Sequence, residues 1–374
     1  MEFPLSLQPN NEENDDDMSV GKIAYMAIQT VLLVFGNIGN IMVIGAVLVN
    51  GKIFQAGNIF IINLALADLF VTAFVDVFSV IGVIRSHHYF SNKSALCETI
   101  ASVCVIACIA SLWNIMAISI NRYIYICKHT FYKIVYTKQN TIIMVIGIWI
   151  VCALLDLPNF LGWGGHGYDH KTMVCTYERT ASYSYTISLL TVAVYIPVVV
   201  VTVCYFNLFL FVRRQKLRIA STYSQSKTER KINSRDIQLL KTLFFIFVVF
   251  FVCWAPYAAV VMGDRRDEFP PYIHATVIIL AHANSSLNSI MYGVMNKRFR
   301  QNYIQFVCVV LNCRTDHREG SVTHREGSHA SEVRRSDHCE VSVTGDRYNL
   351  ISGGGVFMTK TLRGKEEKTP QLTL

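Results

Sequence analysis

The sequence predicts an all-α membrane protein, a bundle of seven transmembrane helices, and three observations support this fold class. Of the 374 residues, 52% are hydrophobic and only 16% are charged, whereas a soluble domain carries about a quarter charged residues. Seven apolar runs are each long enough to cross about 30 Å of hydrocarbon, and they are too long for the alternating strands of a membrane barrel. The runs cover residues 23–49, 58–84, 96–127, 141–163, 183–212, 237–262 and 272–295.

The third observation is that lysine and arginine residues gather in alternate connections. They are dense after the third, fifth and seventh runs, whereas Arg265 and Arg266, before the seventh run, are offset by acidic neighbours. Basic connections stay in the cytoplasm, so we expect a multi-pass plasma-membrane protein with its N-terminus outside and its C-terminus inside. Residues 1–18 show no signal-peptide pattern, so the first helix is expected to insert directly. The net charge of +8 then belongs to a cytoplasmic face and not to a nucleic-acid-binding surface.

The chain is predicted to have three parts: an extracellular segment 1–21, the helical domain 22–307 and a cytoplasmic tail 308–374. From Arg314 onward the tail is polar and lacks hydrophobic periodicity, which predicts disorder. Cys308 and Cys313 follow an amphipathic segment and are candidate palmitoylation sites. Two free thiols are the alternative.

Two cysteines, Cys97 and Cys175, fall on the oxidising outer side of the membrane. A disulfide between them is the expected pairing, with two free thiols as the alternative. Asn92 begins an Asn-Lys-Ser glycosylation acceptor on the same side. Because it lies close to the membrane, its use and its non-use are both open.

Polar residues inside the apolar runs are costly in a membrane and therefore indicate function. Asp68 lies in the middle of the second run, and other polar residues lie at comparable depth: Asn40, Ser111, Asn284, Ser285 and Asn288. Carboxylate, hydroxyl and amide oxygens suit a small hard cation or a water cluster. Hydrogen bonding between helices is the alternative.

Charge and proline positions predict where the bundle changes conformation. Arg122, at the inner end of the third run, either pairs with Asp236 at the start of the sixth or extends to the interface. Prolines predict kinks in the fourth, fifth and sixth helices, and they are Pro158, Pro197 and Pro256. Trp254 lies beside the last of these kinks.

Together these residues resemble the rhodopsin-like (class A) G-protein-coupled receptors over about residues 22–307. The family landmarks present are Asn40, Asp68, Arg122, Trp149, Pro197, Trp254, Pro256 and Asn288 through Tyr292. The segment 296–300 is similar to the short amphipathic eighth helix of that family. The resemblance implies a receptor that binds an extracellular small molecule and activates a heterotrimeric G protein. It also implies arrestin, a receptor kinase and membrane lipid as partners, with no nucleic acid.

The resemblance also implies roles for individual residues. The activation switch would comprise Asn121, Arg122, Tyr205, Asp236, Phe250, Trp254, Asn288 and Tyr292. An allosteric sodium ion would bind Asp68, Ser111, Asn284 and Ser285. No other metal or cofactor and no catalytic residue are expected.

Two departures from the family pattern narrow the subfamily. Asn121 stands where the family usually has an acid, and Ser289 stands where it usually has proline. Both features, and the run 121–140, are similar to melatonin receptors, which implies coupling of the inhibitory Gi/o type. Within the class, the alternative is an orphan receptor for a lipid or another acidic small molecule.

The melatonin-receptor ligand contacts carry over only in part. Asn159 matches the residue that hydrogen-bonds the methoxy group, and Tyr177 matches the ring that stacks on the indole. Arg179 and Ala193 stand where those receptors have glutamine and histidine. Arg179 therefore either binds an acidic ligand or points to solvent. Trp254 and His282 complete the expected site.

Other classes of protein lack support in the sequence. Cys104 stands where aminergic receptors have an acid, and His282 stands where opsins have the retinal-binding lysine. A transporter would show inverted repeats and paired broken helices, and neither is evident. An intramembrane enzyme would need a nucleophile or metal-ligand cluster within the spans, and no such set converges in the sequence.

Overall fold

The computed structural model describes residues 20–51, 53–221, 234–311, 314–316, 338–343, 346–353 and 355–361. The chain forms two compact units, Met1–Arg300 and Gln301–Leu374. The described part of the first unit contains the seven long helices that the apolar runs predict. Numbered first to seventh, they are Val20–Val49, Ala56–Phe70 continuing as Asp76–Ser91, Ser94–Cys127, Lys138–Asp156, Tyr183–Leu190 continuing as Ile196–Ser221, Ser234–Gly263 and Pro271–Met295. A short helix, His129–Val135, lies between the third and the fourth.

The second and fifth helices each contain a five-residue π-helical turn, Val71–Val75 and Thr191–Tyr195. Single π turns of this kind are frequent at functional sites. Pro197 lies two residues after the end of the second turn, so the irregular backbone accommodates the hydrogen bond that this proline cannot donate. Pro256 lies inside the sixth helix, as predicted.

The fourth helix is shorter than the apolar run predicts. It ends at Asp156 and is followed by a 3₁₀ turn, Leu157–Asn159. Pro158 lies in that turn, where its missing N–H and its ring are incompatible with a continuing helix. The predicted kink at Pro158 is therefore wrong, because this proline ends the helix.

Apolar side chains point outward from the bundle, and polar side chains point into it. Ile38 and Ile143 are 55% and 65% exposed, whereas Asn40 and Asp68 are 1% exposed or less. Six helices in the described part of the chain are long and apolar enough to span a membrane. The seventh is less apolar because its buried face carries His274, His282, Asn284, Ser285, Ser286, Asn288 and Ser289.

Hydrogen bonds between buried side chains hold neighbouring helices together. Asn63 of the second helix donates to Oδ1 of Asn114 in the third at 2.8 Å. Its own Oδ1 accepts from Nε1 of Trp149 in the fourth helix at 2.8 Å. Apolar contact alone does not drive helices together in lipid, so such bonds contribute to specific packing.

A two-stranded antiparallel hairpin covers the end of the bundle at which the third helix begins, which is the end predicted to face outward. Its strands are β1, His166–Asp169, and β2, Val174–Tyr177, with Tyr168 opposite Cys175. All four residues of β2 are buried. A disulfide joins Cys175 to Cys97 at the start of the third helix, with 5.3 Å between the Cα atoms. The predicted disulfide is therefore present, and it holds β2 against the bundle.

The helix Lys297–Val310 lies where the amphipathic eighth helix is predicted, and it ends three residues later than expected. Cys308 lies in this helix and is not part of a disulfide, and Cys313 lies outside the described residues. Palmitoylation of either cysteine remains a prediction.

Parts of the tail are described as strands, and the predicted disorder of the tail as a whole stays a prediction. Four strands form one antiparallel sheet in the order β3 to β6: Arg314–Asp316, His338–Val343, Asp346–Gly353 and Gly355–Thr361. Cys339 pairs with Leu350, and Leu350 pairs with Met358.

Candidate functional site

A small cavity of about 40 Å³ lies between the hairpin and the third, fifth, sixth and seventh helices. A buried water needs about 10–15 Å³, so the cavity has room for about three waters. Most of its wall is apolar or aromatic: Cys104, Val105, Cys108, Ile109, Leu112, Thr176, Tyr177, Leu189, Leu190, Ala193, Val194, Trp254, Tyr257, Ile278 and His282. Four of the predicted ligand residues therefore line it: Tyr177, Ala193, Trp254 and His282.

Strand β2 forms the roof of the cavity and connects to its floor through a pair of tyrosines. The hydroxyl of Tyr257 donates to the hydroxyl of Tyr177 at 3.3 Å. The ring of Tyr257 meets Trp254 edge-on, with 5.7 Å between the ring centroids. Burial raises the pKa of Tyr177 to about 12, so this hydroxyl stays neutral. Nε1 of Trp254 is buried and has no hydrogen-bond partner within the described residues.

Arg179 is not among the residues that line the cavity, and the alternative that it points to solvent is wrong, whereas its binding of an acidic ligand stays a prediction. Its side chain is 9% exposed, and Nε lies 3.2 Å from Oδ2 of Asp169. Its Nη2 contacts Oδ1 of Asp267 in the connection before the seventh helix. The arginine is therefore already neutralised by carboxylates, and it fastens the hairpin to that connection.

Lys171 and Asp264 belong to the same ionic network as Arg179. We call this network the ionic lid, and its members are Asp169, Lys171, Arg179, Asp264 and Asp267. Nζ of Lys171 lies 2.7 Å from Oδ1 of Asp267 and donates to its backbone carbonyl at 2.7 Å. Burial acts to raise the pKa of Asp267, but hydrogen bonds from Lys171 and Arg179 outweigh it, and the pKa is lowered. Burial also opposes ionisation of Asp264, and the hydrogen bond with His274 and two backbone N–H groups lower its pKa. The lid therefore requires charged carboxylates.

Asn159 is buried at the outer end of the fourth helix, outside the cavity wall. Its amide nitrogen donates to the hydroxyl of Tyr185 at 2.7 Å and to Oδ1 of Asp156 at 3.0 Å. An amide nitrogen has two hydrogens, so both donors are in use. A methoxy oxygen needs a donor, and Asn159 can supply one only if Tyr185 or Asp156 releases it.

The sequence interpretation missed Asp76, which lies on the inner side of the second helix and is 0% exposed. Its Oδ1 lies 2.8 Å from Nδ1 of His282 and accepts from Gln29 at 2.6 Å. These contacts join the first, second and seventh helices beneath the cavity. An acidic side chain within an apolar run is energetically costly in a membrane, which is why Asp68 was singled out, and the same reasoning applies to Asp76.

A sulfur and nitrogen cluster lies beside this carboxylate. The sulfurs of Cys104 and Cys108 and a ring nitrogen of His282 all lie within 4.8 Å of one another, and all three residues are buried. Sγ of Cys104 is 3.9 Å from Nε2 of His282. The expectation that no metal-ligand set converges within the spans is therefore wrong, because these ligands come from two helices far apart in sequence.

Two residues of the predicted sodium pocket, Ser111 and Ser285, hydrogen-bond Asp68, as does Asn288. The two carboxylate oxygens of Asp68 accept from Ser111 at 2.7 Å and from Asn288 at 2.9 Å. Oδ1 of Asn284 and Oδ1 of Asn288 are buried without a hydrogen-bond partner in the described part of the chain. Such unpaired acceptors beside a carboxylate fit a hard cation.

At the inner end of the bundle, Arg122 lies against the second helix. A Cβ atom on Gly57 would be 2.5 Å from Nη2 of Arg122, so only glycine leaves room for the guanidinium. Asn121 is fully buried, and its amide has no partner within the described residues. The side chain of Asp236 lies outside the described part of the structure, so its pairing with Arg122 stays a prediction.

Aromatic rings connect the cavity to the inner end of the bundle. Trp254 and Phe250 are four residues apart on one face of the sixth helix. Phe250 lies 6.2 Å from Phe247, which stacks on Tyr205 of the fifth helix at 5.8 Å. Tyr292 is buried at the end of the seventh helix and stacks on Phe299 at 5.0 Å. Three of the predicted switch residues, Trp254, Phe250 and Tyr205, thus lie along one path from the cavity floor.

Asn92 is exposed at the end of the second helix, so its side chain is accessible for the attachment of a glycan. Asn284-Ser285-Ser286 matches the same acceptor pattern but is buried in the seventh helix. Glycosylation at Asn92 remains a prediction.

Comparison with known proteins agrees with this geometry. Residues 39–292 match the family model "7 transmembrane receptor (rhodopsin family)". The chain is 33% identical to "Melatonin receptor type 1B-B" of Danio rerio over 76% of its length and 83% of the relative. It is 31% identical to "Melatonin receptor type 1B" of Homo sapiens over 81% and 84%. The crystal structure of squid rhodopsin superposes with a TM-score of 0.65 at 20% identity, covering 82% of this chain and 90% of that one.

Proposed function

The chain belongs to the rhodopsin family of seven-transmembrane receptors, and from this premise we propose that its agonist is a neutral indole of the melatonin type. The family makes it a multi-pass membrane receptor, not an enzyme, that responds to a small molecule and acts through a G protein. The proposal concerns the agonist, the coupling and the orientation in the membrane.

The observation that carries the proposal is the neutral, aromatic wall of the cavity. Tyr177, Trp254 and Tyr257 surround it, and no lysine or arginine is among its described lining residues. Arg179 and Lys171, two nearby cations that could recognise a carboxylate, are neutralised in the ionic lid. The unpaired Nε1 of Trp254 offers a donor to a neutral ligand oxygen. These features favour an indole amide over an acid.

The cavity must enlarge to admit such a ligand. Pockets that bind small molecules usually measure about 300–1,000 Å³, far more than the space present. We expect the agonist to displace the Tyr177–Tyr257 pair and to press on Trp254. Because that contact exists only in the enlarged cavity, the agonist binds the active conformation better and shifts the population toward it.

The experiment compares neutral and acidic indoles on cells that express the receptor, with G-protein dissociation and cAMP as readouts. Melatonin and N-acetylserotonin are expected to act, whereas indole-3-acetic acid is not. Arg179→Gln is expected to leave this preference for neutral ligands unchanged. A response to the acid alone, lost in Arg179→Gln, would establish the acidic-ligand alternative instead.

The remaining parts of the proposal concern the two faces of the membrane. The Cys97–Cys175 disulfide and the basic inner connections support an extracellular N-terminus at the plasma membrane. The similarity to melatonin receptors supports Gi/o-type coupling. Phosphorylation of the tail by a receptor kinase would create the acidic sites that an arrestin recognises. A panel of G-protein subtypes and a phosphatase-sensitive arrestin recruitment assay test these points.

A sodium ion is the proposed allosteric ligand of the Asp68 cluster. The residues present fit it, since Asp68, Ser111, Asn284 and Ser285 offer hard oxygen ligands and two amide acceptors are unpaired. Replacing Na⁺ by a bulky organic cation is expected to raise agonist affinity in the wild type. Asp68→Asn is expected to remove that difference, and its persistence would exclude Asp68 as the sodium ligand.

A further inference from the structure

We propose that Cys104, Cys108 and His282 form a zinc site in the wall of the ligand cavity. The proposal does not depend on the identity of the agonist. All three residues line the cavity, and their ligand atoms lie within 4.8 Å of one another. Two thiolates and an imidazole are a ligand set that suits Zn²⁺, and a three-ligand site keeps the fourth position open.

The distances are close to those that the metal requires. Zn–S bonds of about 2.3 Å and Zn–N bonds of about 2.05 Å place tetrahedral sulfur and nitrogen ligands about 3.6 Å apart. The sulfur of Cys104 and Nε2 of His282 are 3.9 Å apart. Cys104 and Cys108 are one helical turn apart, so their side chains share one face of the third helix. The Cys104–His282 spacing is therefore within a few tenths of an ångström of the required value, and the sulfur of Cys108 lies within 4.8 Å of both ligand atoms.

Asp76 provides the outer support that zinc-binding histidines usually have. Its carboxylate lies 2.8 Å from Nδ1 of His282 and is itself held by Gln29 at 2.6 Å. A carboxylate on one ring nitrogen orients the imidazole and directs the other nitrogen at the metal. The nitrogen that faces the sulfurs is Nε2, as the site needs. Oδ2 of Asp76 is buried and has no hydrogen-bond partner within the described residues.

Charge balance also favours zinc at this depth in the membrane. Each thiol releases its proton when the metal binds, and the imidazole binds through an unprotonated Nε2. One Zn²⁺ with two thiolates is then neutral. An isolated divalent ion in a low-dielectric interior would be strongly unfavourable. The fourth position opens toward the cavity, where a water or a donor atom of a ligand completes the coordination.

A second group of metal-binding residue types in the described chain is a weaker candidate. Asp264, Asp267 and His274 also lie close together, but Lys171 and Arg179 already neutralise these carboxylates. A cation would have to displace both basic side chains. The cysteine and histidine cluster has no lysine or arginine among the cavity residues beside it.

The test measures metal binding directly on the full-length receptor purified in detergent. After treatment with a chelator and its removal, the receptor is titrated with ZnCl₂, and bound zinc is counted by mass spectrometry. We expect one zinc per receptor and a higher unfolding temperature with Zn²⁺ but not with Mg²⁺. Substitution with Co²⁺ should give the absorption of thiolate-to-cobalt charge transfer, which requires cysteine ligands.

Variants assign the ligands. Cys104→Ser combined with Cys108→Ser, and separately His282→Ala, should lose the bound zinc. Cys152→Ser, a buried free cysteine of the fourth helix, is the matched control and should retain it. Asp76→Asn should weaken zinc binding by about 10–100-fold, as expected for an outer partner of a ligating histidine.

Two results would overturn the zinc site, and neither depends on the identity of the agonist. Wild-type receptor that binds no zinc and gives no cobalt–thiolate absorption would overturn the proposal, whether or not any variant folds. Wild-type zinc binding that persists in the double cysteine variant would place the metal elsewhere and also overturn it. A failed melatonin response leaves the zinc result unaffected, because metal counting requires no agonist.

Discussion

Arg179→Gln is expected to loosen the ionic lid and to accelerate the release of a bound agonist. The substitution removes the guanidinium that holds Asp169 and contacts Asp267. Lys171 still pairs with Asp267, so the lid weakens but does not disappear. Because the hairpin covers the cavity and the disulfide fixes only one end of it, the agonist leaves when the other end opens.

The magnitude follows from the exposure of the partners. Exposed ion pairs contribute about 0.2–1 kcal/mol, and breaking a buried pair costs about 3–5 kcal/mol. Arg179 is 9% exposed, whereas Asp169 and Asp267 are 17% and 39% exposed. An intermediate loss of about 1–2 kcal/mol is therefore reasonable, and it corresponds to a factor of about 5–30 in the opening equilibrium.

The assay is the dissociation of a radiolabelled melatonin-type agonist from membranes that contain the receptor. Arg179→Gln should raise the dissociation rate by about 5–30-fold, and Arg179→Lys should have a smaller effect because it keeps the charge. Arg266→Gln is the control, since Arg266 is 84% exposed and lies 3.9 Å from Glu268. Equal dissociation rates in the wild type and Arg179→Gln would refute the lid.

Three further predictions follow from other contacts. Tyr185→Phe removes the hydroxyl that accepts a hydrogen bond from Asn159. The freed N–H of Asn159 should raise the affinity for a methoxy-bearing indole by about 2–10-fold, the equivalent of one hydrogen bond. In competition binding, the corresponding indole without the methoxy group should show no such gain. The pKa values of Asp264 and Asp267 are lowered, so the carboxylates stabilise the lid at any pH above the usual carboxyl pKa of about 4 and lose this effect as the pH falls further. The agonist dissociation rate, measured from pH 7 to pH 3, should therefore rise only below about pH 4. Gly57→Ala should displace the guanidinium of Arg122 and raise agonist-independent G-protein activation, whereas Gly147→Ala, with nothing within 4 Å, should not.

The bundle could be predicted because each helix is a local feature of the sequence. An apolar run of sufficient length has few alternatives in a membrane, and the two cysteines predicted to lie on the oxidising side had one obvious pairing. Asp68 could be placed with Ser111 for a similar reason, since a buried carboxylate needs donors. The error at Pro158 was local as well, because a proline can kink a helix or end it, and the run alone does not decide between them.

The candidate site was harder to predict because its contacts join distant segments. Arg179 meets Asp267 across 88 residues, and His282 meets Asp76 across 206. The family resemblance located Arg179 in the chain but carried no information on a carboxylate partner that this chain supplies. Asp76 could have been found because a carboxyl group within an apolar run is energetically costly in a membrane. Its contact with His282, in contrast, depends on how two helices pack.

The proposed agonist occupies the cavity beneath Tyr177, and filling that cavity with a larger side chain tests this assignment most directly. Ala193 lines the cavity and is 4% exposed, so Ala193→Trp would occupy the space that the ligand needs. Ile143→Trp, at a lipid-facing position that is 65% exposed, adds the same bulk elsewhere. Saturation binding of radiolabelled melatonin should be lost in Ala193→Trp and kept in Ile143→Trp, with both variants at the cell surface in equal amounts. Unchanged binding in Ala193→Trp would contradict the assignment of the site.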